Sequence, residues 1–177
     1  MTGYVFSPPL AHAQDHDEAN TTQGLDNGFV GVDLPSKTIK LFDSGNQTVA
    51  TSRLAFVADA VVSVLQREEQ TANKYISVAE FIVTQNQILK TIEEVTGAKF
   101  NVINVKTSDL EKAGHEALAS DSPFGSFVPF LLAHNWADDQ GHGYKAADAD
   151  NASLGLKGVD ETDVKDAVAE WVKSKSA

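Results

Sequence analysis

Two pairs of histidines stand near carboxylates at spacings that a metal centre would use. His12 and His16 lie four residues apart beside Asp15, Asp17 and Glu18, and on a helix that spacing sets two imidazoles on one face. The segment has poor helical periodicity, so it reads as a polar tail. His134 and His142 flank Asp138 and Asp139, but a glycine-containing loop separates them, and they read as exposed loop residues. His115 follows Gly114 on a predicted helix and is assigned no role. No metal site is expected.

Nucleophilic and dinucleotide chemistry leave equally little trace. A nucleophile elbow needs glycines flanking the serine in a G-x-S-x-G turn, and Val128 stands where Gly125-Ser126 would need the second one. The absence of cysteine removes disulfides, thiolate metal sites and thiol nucleophiles together. A Rossmann site needs closely spaced glycines between a buried strand and a helix, so that bare backbone amides approach the pyrophosphate. Gly24, Gly28 and Gly31 are closely spaced, yet no buried strand precedes them and a hairpin follows. Gly141 and Gly143 also lack a preceding strand. Neither group is the fingerprint.

The elements that would carry any site follow from periodicity and capping. Residues 1–27 are polar and irregular, with Pro8-Pro9 and then only alanine as apolar residue from His12 to Gln23, and read as a tail. Val30, Val32 and Leu34 alternate, Pro35-Ser36-Lys37 turn, and Ile39 and Leu41 alternate again, which predicts a β-hairpin with one buried face. From Leu54 to Leu65 only Asp59 and Ser63 are polar, predicting a mostly buried helix capped by Thr51 or Ser52. Lys74 to Val78 and Phe81 to Val83 read as short strands. Thr84-Gln85-Asn86-Gln87 is a capping box opening a helix with Ile88, Leu89, Ile92 and Val95 on one face, stopped by Gly97.

Phe100 to Val105 predicts a strand. Ser108-Asp109-Leu110-Glu111 predicts a second capping box, with Leu110, Ala113 and Ala117 turned inward. Residues 123–136 are aromatic and apolar, with Pro129 expected to kink or split a helix. Asp138 to Asn151 reads as a polar loop. Asp160 is expected to cap a last helix whose inner face holds Val164, Val168, Trp171 and Val172. The class is α/β, with an α+β character in isolation.

Composition narrows the partners. The 177 residues carry 25 acidic against 14 basic side chains, a formal charge of −11. Such a chain repels phosphate backbones and anionic lipid, and no basic patch offsets this, so neither nucleic acid nor membrane is an expected partner. The closest cluster, Lys165, Lys173 and Lys175, is interrupted by Asp166 and Glu170. No apolar run approaches a membrane span. Ala11-His12-Ala13 mimics a signal-cleavage site, but no Lys or Arg precedes it and Pro8-Pro9 breaks the apolar run, so a cytoplasmic home is expected.

The succession Gly31 to Leu34, Ile39 to Gly45, Leu54 to Leu65, Lys74 to Ser77, Phe81 to Leu89 and Glu94 to Gly97 resembles the NmrA-like family, in particular its fungal isoflavone-reductase-like members. Leu154-Gly155-Leu156 before the last helix resembles the family's usual ending. The match covers about residues 28–177 and is carried by order and spacing. The resemblance implies a two-part protein: an amino-terminal Rossmann half that binds NADPH or NADH, and a smaller carboxy-terminal half, here residues 28–177, that covers a small-molecule substrate. The family's glycine-rich loop and catalytic lysine have no counterpart among these residues. No catalytic or cofactor-binding residue is therefore carried over, and the chain alone is expected to hold no cofactor and to be inactive. For a substrate wall the resemblance leaves the stretch with Phe124, Phe127, Phe130 and His134 on one side of a helix; the plain alternative is that these rings are core. A second reading is a non-catalytic regulator that binds a protein partner. Faces meant for a missing half would be left bare.

Overall fold

The computed structural model describes residues 25, 28–120, 123–138, 145–158 and 161–175. Nearly all of the expected tail, the Asp160 cap, and His142 with its neighbouring glycines lie outside the described residues.

The hairpin forms where alternation places it. β1 (Val32–Asp33) runs antiparallel to β2 (Thr38–Phe42), with Val32 opposite Ile39. Its single buried face gives way at the end of β2, where Leu41 and Phe42 are both buried. Leu41 lies under the turn at Gly45, where a Cβ would come within 2.7 Å of its side chain. Phe42 stacks on Trp136 at 6.5 Å between centroids. β2 also pairs in parallel with β5 (Asn101–Val105), from Thr38 opposite Asn101 to Phe42 opposite Val105.

A parallel pair needs a long crossover, and the intervening chain is rich in structure. It contains β3 (Val49–Thr51), α1 (Leu54–Gln66), the short α2 (Glu68–Thr71), β4 (Phe81–Val83) and α3 (Gln85–Thr96). After β5 come α4 (Thr107–Ala119), α5 (Pro123–Trp136), a 3-10 turn at Ala146–Asp148 and α6 (Glu161–Lys175). The described residues thus form one sheet ordered β1-β2-β5 and a two-stranded antiparallel sheet of β3 with β4. This is a mixed α/β fold with six α-helices, consistent with a partial Rossmann-like domain. No helix of the described residues is long and apolar enough to cross a membrane.

The second sheet and α3 follow local rules. Thr84 Oγ1 accepts from the Gln87 amide at 3.1 Å, and Gln87 Oε1 accepts from the Thr84 amide at 2.9 Å, closing the capping box. Gly97 ends the helix at φ 63°, a conformation that only glycine takes without cost. Ile88 and Ile92 are buried in the core that also takes Val168 and Trp171 of α6, with Leu89, Val95, Val164 and Val172 packed partly against it.

Several elements depart from the sequence reading, each for a reason of partners. Helix α1 is mostly exposed: only Phe56 and Ala60 are buried, and Leu65 is 73% exposed, because little of the described chain packs on its remaining faces. Neither Thr51 nor Ser52 caps it. Arg53 is the N-cap residue, and Ser52 Oγ instead accepts from the Glu80 amide at 3.0 Å. The Glu80 carboxylate takes the Arg53 backbone N–H and the Arg53 Nε–H at 2.7 Å each, while the guanidinium lies over the Phe81 ring.

Lys74 to Val78 is not a strand. It has no ladder partner among the described residues: Ser77 N–H donates to Asp150 Oδ2 at 2.8 Å and the Ser77 carbonyl accepts from the Asp150 amide at 2.6 Å, while the neighbouring Ala79 exchanges bonds with the Asn151 amide group, donating to Oδ1 at 3.2 Å and accepting from Nδ2 at 2.7 Å. Asn151 thereby stands in for a strand neighbour.

Helix α4 starts one residue before the predicted cap, after Lys106, and carries no side-chain cap from its N-cap residue. Its first turn is held from a distance, since Asp43 Oδ1 accepts from the Thr107 amide at 2.9 Å and Oδ2 accepts from its hydroxyl. Leu110 and Ala117 are half-buried as expected, but Gly114 takes the buried place assigned to Ala113. Pro129 does not split α5, which runs unbroken from Pro123 to Trp136.

One buried side chain joins these layers. Gln85, fully buried at the start of α3, accepts from the Phe42 amide at 2.8 Å and donates to the Val30 and Lys40 carbonyls at 2.7 and 2.9 Å. Gln85→Leu would strand those backbone groups away from water and is expected to lower the unfolding free energy by about 2–4 kcal/mol, read as a lower urea midpoint.

A second prediction concerns pH. The Lys99 ammonium and then the Phe100 amide bond the Glu93 carboxylate and hold its pKa below the usual value. A depressed carboxylate pKa stabilises the fold above the unfolded-state pKa, and that contribution is lost as pH falls through the folded value. Glu93→Gln should therefore narrow the stability difference between neutral and acidic pH in paired thermal melts.

An aromatic surface on the fifth helix

The candidate site is built on the packing of α5 against α4. Gly114 makes the close approach possible: a Cβ there would stand 2.8 Å from atoms of the Phe130 ring. Phe130 is half-buried and meets the His115 ring edge-on, with centroids 5.0 Å apart and planes at 78°. At the far end of α5, Trp136 is buried and donates from Nε1 to the Phe29 carbonyl at 3.0 Å. That bond, together with the tilted Phe29 ring at 5.9 Å, ties α5 to the loop before β1.

The other side chains of the predicted wall point differently. Phe124 is 93% exposed and Phe127 57% exposed, so neither is a core residue. Val128 and Leu118 add exposed apolar surface on α5 and α4. His134 is exposed, and the ring that Phe130 meets belongs to His115. The four residues therefore share one helix in two environments, with Phe124, Phe127 and His134 exposed and Phe130 half-buried against α4.

One polar cluster near the end of α5 escaped the sequence reading. Asp138 accepts from the Ser44 amide at 3.1 Å and from the Ser44 hydroxyl at 2.7 Å. Asn86 Nδ2 bridges the Ser44 carbonyl and Asn46 Oδ1. Ser44 and Asp138 lie 94 residues apart, and the only local signal was the Asp43-Ser44-Gly45-Asn46 turn. The cluster fixes the loop after β2 to the end of α5 and to α3.

Among the described residues, Gly28 and Gly31 lie in a turn that leads into a hairpin, not between a strand and a helix. Gly28 and Gly31 close a turn, Gly31 N–H donating to the Gly28 carbonyl at 2.9 Å. A Cβ on Gly31 would meet the Lys40 carbonyl oxygen at 2.4 Å. At Gly31 the hairpin's own backbone takes up the close approach, whereas nothing lies within 4 Å of the Cβ position at Gly28. Among the described residues no group of three or more histidines and carboxylates is placed to hold a metal; His12, His16, Asp139 and His142 lie outside them.

Comparison with known proteins gives a consistent but coarse result. The chain is 27% identical over 111 residues to oxidoreductase poxI of Penicillium oxalicum, covering 63% of this chain and 35% of the relative. It is 24% identical over 138 residues to oxidoreductase aprR of Aspergillus flavus, covering 75% of this chain and 46% of the relative. No family model matches, and no solved structure matches. The chain thus spans between about a third and a half of the length of these relatives, and what it has in common with them is a general resemblance to oxidoreductases.

Proposed function

We propose that the chain is the substrate-side part of an NAD(P)H-dependent oxidoreductase of the NmrA-like, isoflavone-reductase-like kind, and that it is not active alone. The observation that carries this reading is the partial likeness to longer oxidoreductases in a stretch where Gly28, Gly31 and Gly45 serve turns. In such a protein the nicotinamide nucleotide is gripped by a Rossmann half outside these 177 residues, and supplies the hydride when bound there. This chain's own contribution is a wall. Phe124 and Phe127 offer open ring faces for a flat, apolar small molecule, which stacks on aromatic rings in offset geometry. Phe130, seated on α4, holds the helix that presents them. The bare flank of α1 with Leu54, Val61, Val62 and Leu65 suits a surface that the rest of such a protein covers.

That same flank favours one other reading, a non-catalytic regulator that uses the apolar side of α1 to bind a protein. Failure of the immobilised chain to retain any protein partner would count against it.

Calorimetric titration of the chain with NADPH should give no saturable heat, and tight saturable binding would overturn the proposal. The wall makes a separate prediction. Phe124→Ala and Phe127→Ala should each change the unfolding free energy by less than about 0.5 kcal/mol, whereas Trp136→Ala should cost about 3–5 kcal/mol. A loss above about 2 kcal/mol at Phe124 or Phe127 would mean that those rings are packed and unavailable to a substrate.

A further inference from the structure

Among the described residues, the sheet ends on an open edge. In the order β1-β2-β5, strand β5 has one neighbour, and its first four residues are exposed. Asn101 N–H donates to the Lys37 carbonyl, and the Val105 carbonyl accepts from the Asp43 amide, so the odd-numbered residues of β5 direct their backbone groups at β2. Alternation then turns the N–H and C=O of Val102 and Asn104 toward the free edge. Edge strands are ordinarily guarded by charge, proline, a bulge or a covering element. The segment Asn101-Val102-Ile103-Asn104-Val105 has no charge and no proline, and Val102 and Ile103 are both exposed.

We infer that this edge is a self-association surface whose occupant is β5 of a second copy, added antiparallel about a two-fold axis at Ile103. The strand fits itself. In that register Val102 faces Asn104 of the second copy, and these are the residues whose free backbone groups point outward, so each pair exchanges N–H···O=C bonds. Ile103 meets its own equivalent in the non-hydrogen-bonded position, where side chains approach most closely. The flanking charges do not collide. Lys99 comes opposite Thr107, and Lys106 opposite Phe100, so no lysine faces a lysine. A C2 arrangement of this kind uses one patch twice and closes, leaving a continuous six-stranded sheet with no free β5 edge.

The test is sedimentation equilibrium of the full chain over a concentration series, with amide exchange read residue by residue. The wild-type chain should dimerise, and the Val102 and Asn104 amides should exchange quickly in dilute solution and become protected as the dimer fills. Val102→Lys and Asn104→Pro should each raise the dimer dissociation constant by roughly tenfold or more, while Leu65→Glu on the apolar flank of α1 should leave it unchanged. Val102→Lys retains every backbone donor, so it reads the edge even if Asn104→Pro folds poorly. A strictly monomeric wild type would overturn the inference. So would a dimer that Leu65→Glu dissolves and Val102→Lys does not, or one in which Val102 and Asn104 stay unprotected. None of these outcomes depends on the nucleotide titration.

Discussion

The fold depends on a glutamine side chain that behaves as a piece of backbone. Gln85 enters the interior at the first turn of α3 and satisfies the Phe42 amide and the Val30 and Lys40 carbonyls. Strand β2 is already committed to β1 on one side and β5 on the other. What Gln85 adds is a partner for backbone groups of β2 on the β1 side, beyond the end of the β1 pairing, and through them a link from the strand to α3. A primary amide suits this task because it donates twice and accepts without charge. A carboxylate in the same place would have to be desolvated, at far greater cost.

The same device recurs at three other places where distant parts of the chain meet. Asn151 closes a two-way exchange with Ala79, Asp43 holds the first turn of α4, and Asp138 holds the loop after β2. These polar side chains position the candidate site. Asp138 and Trp136 anchor the end of α5, Gly114 lets its middle settle on α4, and Phe124 and Phe127 are left open at its start. A wall of this kind has rigid support beneath it and solvent in front. Under the proposed function such a surface receives the apolar substrate, and the hydride comes from a nucleotide held elsewhere.

The same contrast explains what the sequence disclosed. The hairpin, the Thr84 capping box, the Gly97 stop and the inner face of α6 are written in residues within a few positions of each other, and all were legible. The cap of α4 was not, because it comes from Asp43, 64 residues away. Lys74 to Val78 has a strand-like composition, yet it meets the distant chain at a single residue, Ser77 on the backbone and side chain of Asp150, so no ladder forms. Helix α1 is apolar nearly all round, which reads as burial, but burial also needs something to pack against. The exposure of Phe124 and Phe127 was hidden for the same reason. An aromatic run on one side of a helix does not say whether another element lies across it.

Gly28 and Gly31 shape the turn that opens the hairpin, and under the proposed function they hold no pyrophosphate. Backbone amide chemical shifts of the isotopically labelled chain, followed during titration with NADPH, test it at the residues concerned. The account predicts that the resonances of Gly28 to Lys40 stay where they are throughout. Saturable displacement of the Gly28 and Gly31 amides would contradict it.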